Sequence, residues 1–160
     1  FEISIPYRKS FGDLENESYR ENFVFENGEF LTSAEAKSQL IINYVESLAN
    51  ASNTLFLVHP VPETAINIFK RNSKYWNNNN QILDEIYTDA NDYVVRNGFV
   101  NESLERLKSE NIIHIYPSEL LCDEFKCYMQ INGVPYYLDD DHLSDIGARL
   151  IVEKINETYQ

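Results

Sequence analysis

Positive charge is scarce in this chain. Its 160 residues hold 13 Lys and Arg against 26 Asp and Glu, a formal net charge of −13. A phosphate backbone needs a basic face to neutralise it, so this balance argues against nucleic acid as a partner. It argues equally against docking of the chain on anionic lipid. No apolar run approaches the roughly 20 residues that span a bilayer, and the N-terminus lacks a signal-peptide pattern. The first residue is Phe1 rather than Met, and it opens directly on an apolar alternation. We therefore expect a chain cut from a longer one.

Cysteine is nearly absent: Cys122 and Cys127 are the only two. Zinc wants four ligands, and no neighbouring pair of His completes a set, so a zinc site is disfavoured. A local disulfide suits the short spacing and requires an oxidising compartment; two reduced thiols in a cytosolic chain is the alternative. What the chain does have is an ordinary hydrophobic content, 43%. At this length that supports one domain, residues 1–160, with a real core.

Phe1 to Ile5 alternates apolar and polar before Pro6 and reads as a short strand; residues 8–31 read as a polar excursion. Thr32-Ser33-Ala34-Glu35 reads as a capping box. The helix it opens has Ala36, Leu40, Tyr44 and Leu48 on one stripe, with Ile41 and Val45 beside it. Thr54 to Val58 is a near-continuous apolar run, as expected of a parallel strand buried on both faces. It breaks at His59-Pro60-Val61-Pro62-Glu63, at the strand's C-terminal end, the edge where open α/β sheets build their sites. His59 and Glu63 are thereby candidates for lining a site, against the plainer reading of a loop that turns the chain.

A short helix is expected from Ile66 to Phe69 and a low-complexity loop from Asn77 to Asn80. Ile82 to Arg96 has apolar residues at helical spacing, Gly98 interrupts, and a second piece runs through Leu104 and Leu107. Ile112 to Tyr116 is the next strand, closed by Pro117; His114 inside it reads as a hydrogen-bonded structural residue. Asn132-Gly133 between two alternating runs predicts a hairpin. The last helix is expected over Asp145 to Thr158, with Ser144 as N-cap and a buried stripe of Ile146, Leu150, Ile151 and Ile155. Strands alternating with helices predict a three-layer α/β/α fold with a mainly parallel sheet.

The chemistry concentrates just ahead of that last helix, in Asp139-Asp140-Asp141-His142-Leu143-Ser144. An acid and an imidazole three residues apart suit acyl transfer: His142 takes the proton from a nucleophilic hydroxyl, while Asp139 fixes its tautomer and stabilises the imidazolium. The plainer reading is a run of carboxylates that suits a helix N-terminus.

This run, continuing into Gly147-Ala148-Arg149-Leu150, resembles the C-terminal block of the SGNH/GDSL hydrolase superfamily. More narrowly it resembles the SGNH domain attached to membrane acyltransferase-3 proteins. "LFLVHPVPE", the Arg96 to Leu107 helix, "IYPSELLCDEFKC" with both cysteines and "NGVPYYLDDDHLS" agree with the narrower match, together covering roughly residues 54–155. The resemblance implies an SGNH-like α/β fold and a periplasmic domain tethered to the inner membrane. Its partner would be an acyltransferase-3 type transmembrane domain in the same polypeptide. It also implies an acyl donor, a carbohydrate acceptor and no cofactor, with the acid–base pair at Asp139 and His142. The family's nucleophile lies in a Gly-Asp-Ser block, which is missing here; Gly12-Asp13-Leu14 is the nearest string and carries Leu in place of the hydroxyl. Either the first strand is missing from the chain, or the relative is inactive and only binds a glycan or partner. A third reading is a cytosolic domain whose Asp-His run is accidental.

Overall fold

The computed structural model describes residues 34–63 and 67–159. The strand expected at Phe1 to Ile5, the Thr32 cap and Gly12-Asp13-Leu14 lie outside them. Five helices and five strands follow in the order α1 (Ala34–Asn50), β1 (Leu55–Val58), α2 (Ile68–Asn79), β2 (Ile86–Asp89), α3 (Ala90–Leu104), β3 (Ile112–Ile115), α4 (Pro117–Leu121), β4 (Lys126–Ile131), β5 (Val134–Pro135) and α5 (Asp145–Tyr159).

The two apolar runs pair as foreseen. β1 and β3 form a parallel ladder from Leu55 opposite Ile112 to Val58 opposite Ile115. Alternation along β1 then sends side chains to two layers. Leu55 and Leu57 pack on a cluster that joins Ile42, Val45 and Ala49 of α1 to Leu104, Leu107 and Ile112. Phe56 points the other way and meets Tyr159 of α5 edge-on, ring centroids 5.9 Å apart. Helix, sheet and helix thus stack in three layers. β1 is less buried than its composition suggests, half-buried at Leu55 to Leu57 and exposed at Val58, because β3 is its one strand neighbour among the described residues.

Beside this lies a three-stranded antiparallel sheet, order β2-β4-β5, one strand of which the periodicity concealed. The segment read as helix from Ile82 to Arg96 divides. Ile86 to Asp89 is a strand, with Tyr87 opposite Tyr128, and only from Ala90 is the chain helical. Asp89 makes the switch, its carboxylate accepting from Asn91 N–H as N-cap. Gly98 does not interrupt α3. The Asn77 to Asn80 loop is also displaced: α2 runs through Asn79 and ends at Asn80, left-handed with φ 54°. The hairpin forms as read, with Asn132 and Gly133 both at positive φ, 51° and 74°, the conformation a two-residue type I′ turn demands.

Two buried stripes rotate relative to expectation. In α1 the inward residues are Ile42, Val45 and Ala49, while Leu40 and Tyr44 are exposed. In α5, Ile146 is exposed and Gly147 and Ile151 turn inward. Each helix carries apolar residues on more than one flank, and the position of the sheet chooses between them.

Cys122 and Cys127 are joined in a disulfide, tying the end of α4 to the start of β4. Cys127 is fully buried in the core cluster with Ile68, Ile86, Met129 and Tyr137. Closing so short a loop is worth about 2 kcal/mol by the chain-entropy relation. Reducing it, or replacing Cys122 with Ala, should lower the urea midpoint of the whole chain accordingly. Unreduced protein should give no thiol labelling; free thiols there would contradict the pairing.

Candidate functional site

The loop from Leu138 to His142 is closed at its neck and anchored from below. Leu138 N–H donates to His142 O at 2.7 Å, and Tyr137 bridges Leu143. Below, Tyr137 is fully buried, and its hydroxyl donates to the carbonyl of Pro62 in the loop after β1. On the far side Ser144 caps α5 as read from the sequence. Its Oγ accepts from Gly147 N–H at 3.2 Å and donates to Pro135 O at 2.8 Å. The Asp-His loop is therefore held between the hairpin, the β1 loop and the N-terminus of α5.

Within the loop Asp139 does two jobs. Its Oδ1 accepts the backbone N–H groups of Asp141 (3.0 Å) and His142 (2.8 Å). Its Oδ2 lies 2.9 Å from His142 Nδ1. The backbone thus fixes the carboxylate and the carboxylate fixes the ring, with Nδ1 carrying the proton and Nε2 turned outward. Among the described residues no hydrogen-bond partner meets Nε2, and the His142 side chain is 71% exposed.

Asp141, which the sequence reading did not single out, brings its Oδ1 to 2.9 Å from the same Nδ1. One N–H cannot serve both carboxylates linearly. Asp139, which is aligned for hydrogen bonding, holds the ring, and Asp141 adds negative charge beside it. Burial pushes Asp139 upward, but the two backbone N–H groups and the imidazole outweigh it and hold the carboxyl well below the usual range. Asp141 is shifted the other way, by burial and by its contact with Asp139. His142 is raised, first by the hydrogen bond to Asp139 and then by the charges of Asp139 and Asp141. Asp139, Asp141 and His142 are also the one cluster of metal-ligating atoms among the described residues, within 4.8 Å of one another. Their atoms are engaged with one another and with backbone N–H groups.

The loop after β1 splits its two candidates. Glu63 is half-buried and feels the site: burial first, and then the charges of Asp141 and Asp140, raise its pKa to about 7 against the lowering effect of Arg96. His59 turns inward instead. It is 2% exposed, with Nε2 2.8 Å from His114 Nδ1, and His114 Nε2 lies 2.9 Å from Leu107 O. His59 Nδ1 lies 3.0 Å from Asn101 Oδ1, so the two rings join α3, the end of β1 and β3 in one hydrogen-bonded chain, and burial lowers the pKa of His59. His59 is thus structural, and His114 is the hydrogen-bonded residue the sequence predicted. Tyr137, Asp141 and Gly147 were missed. A buried tyrosine two residues before the acid was the one available signal, and its partner 75 residues away was not visible.

No curated protein matches the chain. In solved structures, the periplasmic domain of a lipopolysaccharide acetyltransferase from Salmonella ser. Paratyphi A superposes with a TM-score of 0.59 at 18% identity. The match covers 84% of this chain and 52% of that one, so the chain spans about half its length. The fold is shared at an identity too low to carry chemistry across. A family model of the SGNH domain fused to AT3 domains matches residues 7–157, nearly the whole sequence with the Asp139–His142 loop inside it, and the chain therefore belongs to that family of SGNH domains.

Proposed function

We propose that this chain is the SGNH domain of an AT3-fused O-acyltransferase, acting on the periplasmic side of the inner membrane. It would place an acyl group, acetyl above all, on a hydroxyl of a surface glycan. The observation that carries the reading is His142 held through Nδ1 by an ionised Asp139, with Nε2 free at the surface. This is the arrangement a general base needs. The fusion to AT3 domains in the family favours an acyl group, and the choice of acetyl and of a glycan acceptor is suggested by the lipopolysaccharide acetyltransferase of like fold. The disulfide supports an oxidising compartment. The partner is an AT3 transmembrane domain, in keeping with the family's architecture.

The steps balance on one imidazole. Nε2 takes the proton of a hydroxyl nucleophile as its oxygen attacks the acyl carbonyl. The imidazolium returns that proton to the leaving group of the donor, which leaves an acyl ester. A glycan hydroxyl then gives its proton to Nε2 and displaces the first oxygen, which is reprotonated. Asp139 stays ionised throughout, and Asp141 steadies the imidazolium. The nucleophile would come from outside the described residues, since no hydroxyl or thiol among them bonds His142.

The missing Gly-Asp-Ser block favours a second reading, a domain that binds glycan or partner without catalysis. The pH profile of acetyl transfer by the whole protein separates the two. A base must be unprotonated, and Asp139 raises the pKa of His142, so transfer should rise with pH through that raised value. Asp139→Asn should move the midpoint down, in step with the His142 ring titration followed by NMR. A profile that ignores the titration would remove His142 from the chemistry. The stability linkage has the opposite sense. The raised pKa stabilises the fold below the unfolded value near 6.5, and this is lost as pH rises through the folded value.

A further inference from the structure

The chain as a whole is acidic, yet one helix is not. Between Glu63 and Asp84 the sequence holds Lys70, Arg71 and Lys74 and no acidic residue, in a chain with 26 acidic residues. All three basic residues lie on α2 and are exposed. On the same helix Phe69 and Trp76 stand 52% and 49% exposed, and Ile82, just beyond its end, is 48% exposed. Such a cluster of large apolar side chains in water needs an explanation.

Helical geometry arranges these residues. Phe69 and Trp76 are seven apart, so they share a face and stand about 10 Å apart along the axis. Lys70 and Lys74 are four apart and form a second row about a third of a turn round. Between the aromatics and Ile82 lies a groove of about 260 Å³, floored by Asn72, Ser73 and Asn77 and lined by no charged side chain. The patch is braced from behind. Asn72 donates to the buried Gln130 at 2.6 Å and accepts from Leu83 N–H at 3.3 Å, which pins the segment carrying Ile82 against α2.

We propose that this face of α2 docks on the surface of a bilayer rich in anionic phospholipid. Phe69, Trp76 and Ile82 would enter the headgroup boundary, and Lys70 and Lys74 would meet the phosphates, while Arg71, about 200° round from Phe69, lies on the far flank. Charge complementarity selects this occupant. Exposed aromatics with a flanking basic row are the composition of an interfacial helix, and tryptophan favours that depth. A neutral glycan would use the rings and amides but gain nothing from the two lysines. Net charge had argued against anionic lipid for the chain as a whole, but screening confines the distant carboxylates to about a Debye length. α2 therefore acts by its own charge. The docking is independent of the chemistry proposed for His142 and would set how the domain faces the membrane.

Trp76 is the only tryptophan in the chain, so its fluorescence reports on this face alone. Residues 1–160 are titrated with vesicles of phosphatidylglycerol and phosphatidylethanolamine at about 0.1 M salt, where the screening length is about 10 Å. The expected result is a saturable blue shift, quenching by brominated acyl chains, and loss of both in high salt. Replacing Lys70 and Lys74 together by Gln should weaken binding about thirtyfold, and Arg71→Gln should change it much less. Phe69→Ser, a single surface change that leaves the charges in place, should weaken it about tenfold. No shift with anionic vesicles would overturn the proposal. So would a shift that pure phosphatidylcholine gives equally and the double Gln variant keeps. Emission that answers to a neutral heptasaccharide of glucose and not to vesicles would assign the groove to glycan instead. Activity of the whole protein with and without His142→Ala is unaffected by any of these outcomes, so the two readings fail separately.

Discussion

Replacing His142 with alanine is expected to cut acetyl transfer by the whole protein roughly a thousandfold, the usual worth of a positioned general base. Fold stability should hardly move, because the ring is 71% exposed and its contacts are confined to its own loop. Acetyl content of the surface glycan and melting of the isolated chain measure the two quantities. Retained transfer would favour the binding-module reading. The acid is a subtler target. Asp139→Asn can keep an oxygen for the two backbone N–H groups that Oδ1 now accepts, but it puts an NH2 where Oδ2 accepts the ring N–H, so it no longer holds the proton on Nδ1. It also leaves Asp141 Oδ1 at 2.9 Å from Nδ1 as a substitute charge. The single change should therefore cost less than loss of His142, while Asp139→Asn combined with Asp141→Asn approaches it. Equal effects of the two single acid variants would mean that Asp141 holds the ring as much as Asp139 does.

Gly147→Ala should destabilise the chain by about 3 kcal/mol, the upper range for forcing atoms into a packed core. Helix propensity alone predicts a gain of roughly 1 kcal/mol from the same change, so the sign is diagnostic. Contact decides it. A Cβ at Gly147 would fall inside contact distance of the Tyr136 carbonyl oxygen and 3.0 Å from Leu143 Cδ2. The first obstacle is backbone and cannot swing aside. That carbonyl also accepts Ser144 N–H at 2.8 Å, so relief must push α5 away from the hairpin and loosen the neck of the Asp-His loop. A fall in melting temperature of about 10 °C should come with a His142 titration moved toward the ordinary value. An unchanged melting temperature would show that α5 can shift at no cost.

Much of the site was readable because its logic is local. Asp139 reaches His142 within one turn, Ser144 reaches Gly147 within another, and Asn132-Gly133 states its own turn type. Such relations span three residues or fewer, and residue type with spacing determines them. The two parallel strands were legible for a related reason: short apolar runs ended by proline or by a polar turn leave few alternatives.

The rest depended on partners far along the chain. Ile86 to Asp89 became a strand because β4, some forty residues later, offered it a ladder, and a four-residue apolar pattern fits either period. The faces of α1 and α5 were chosen by the sheet they cover, since both helices have apolar residues to spare. Whether His59 or Glu63 faced the site turned on His114 and Arg96, neither of which the loop sequence names. The sequence by itself determined the α/β order, the hairpin, the cap and the acid–imidazole pair, because near neighbours set those. Only the tertiary structure decided that Tyr137 ties the loop to Pro62 and that Gly147 must stay without a side chain. Each of those follows from how closely packed segments approach, a distance that no pattern of residues along the chain records.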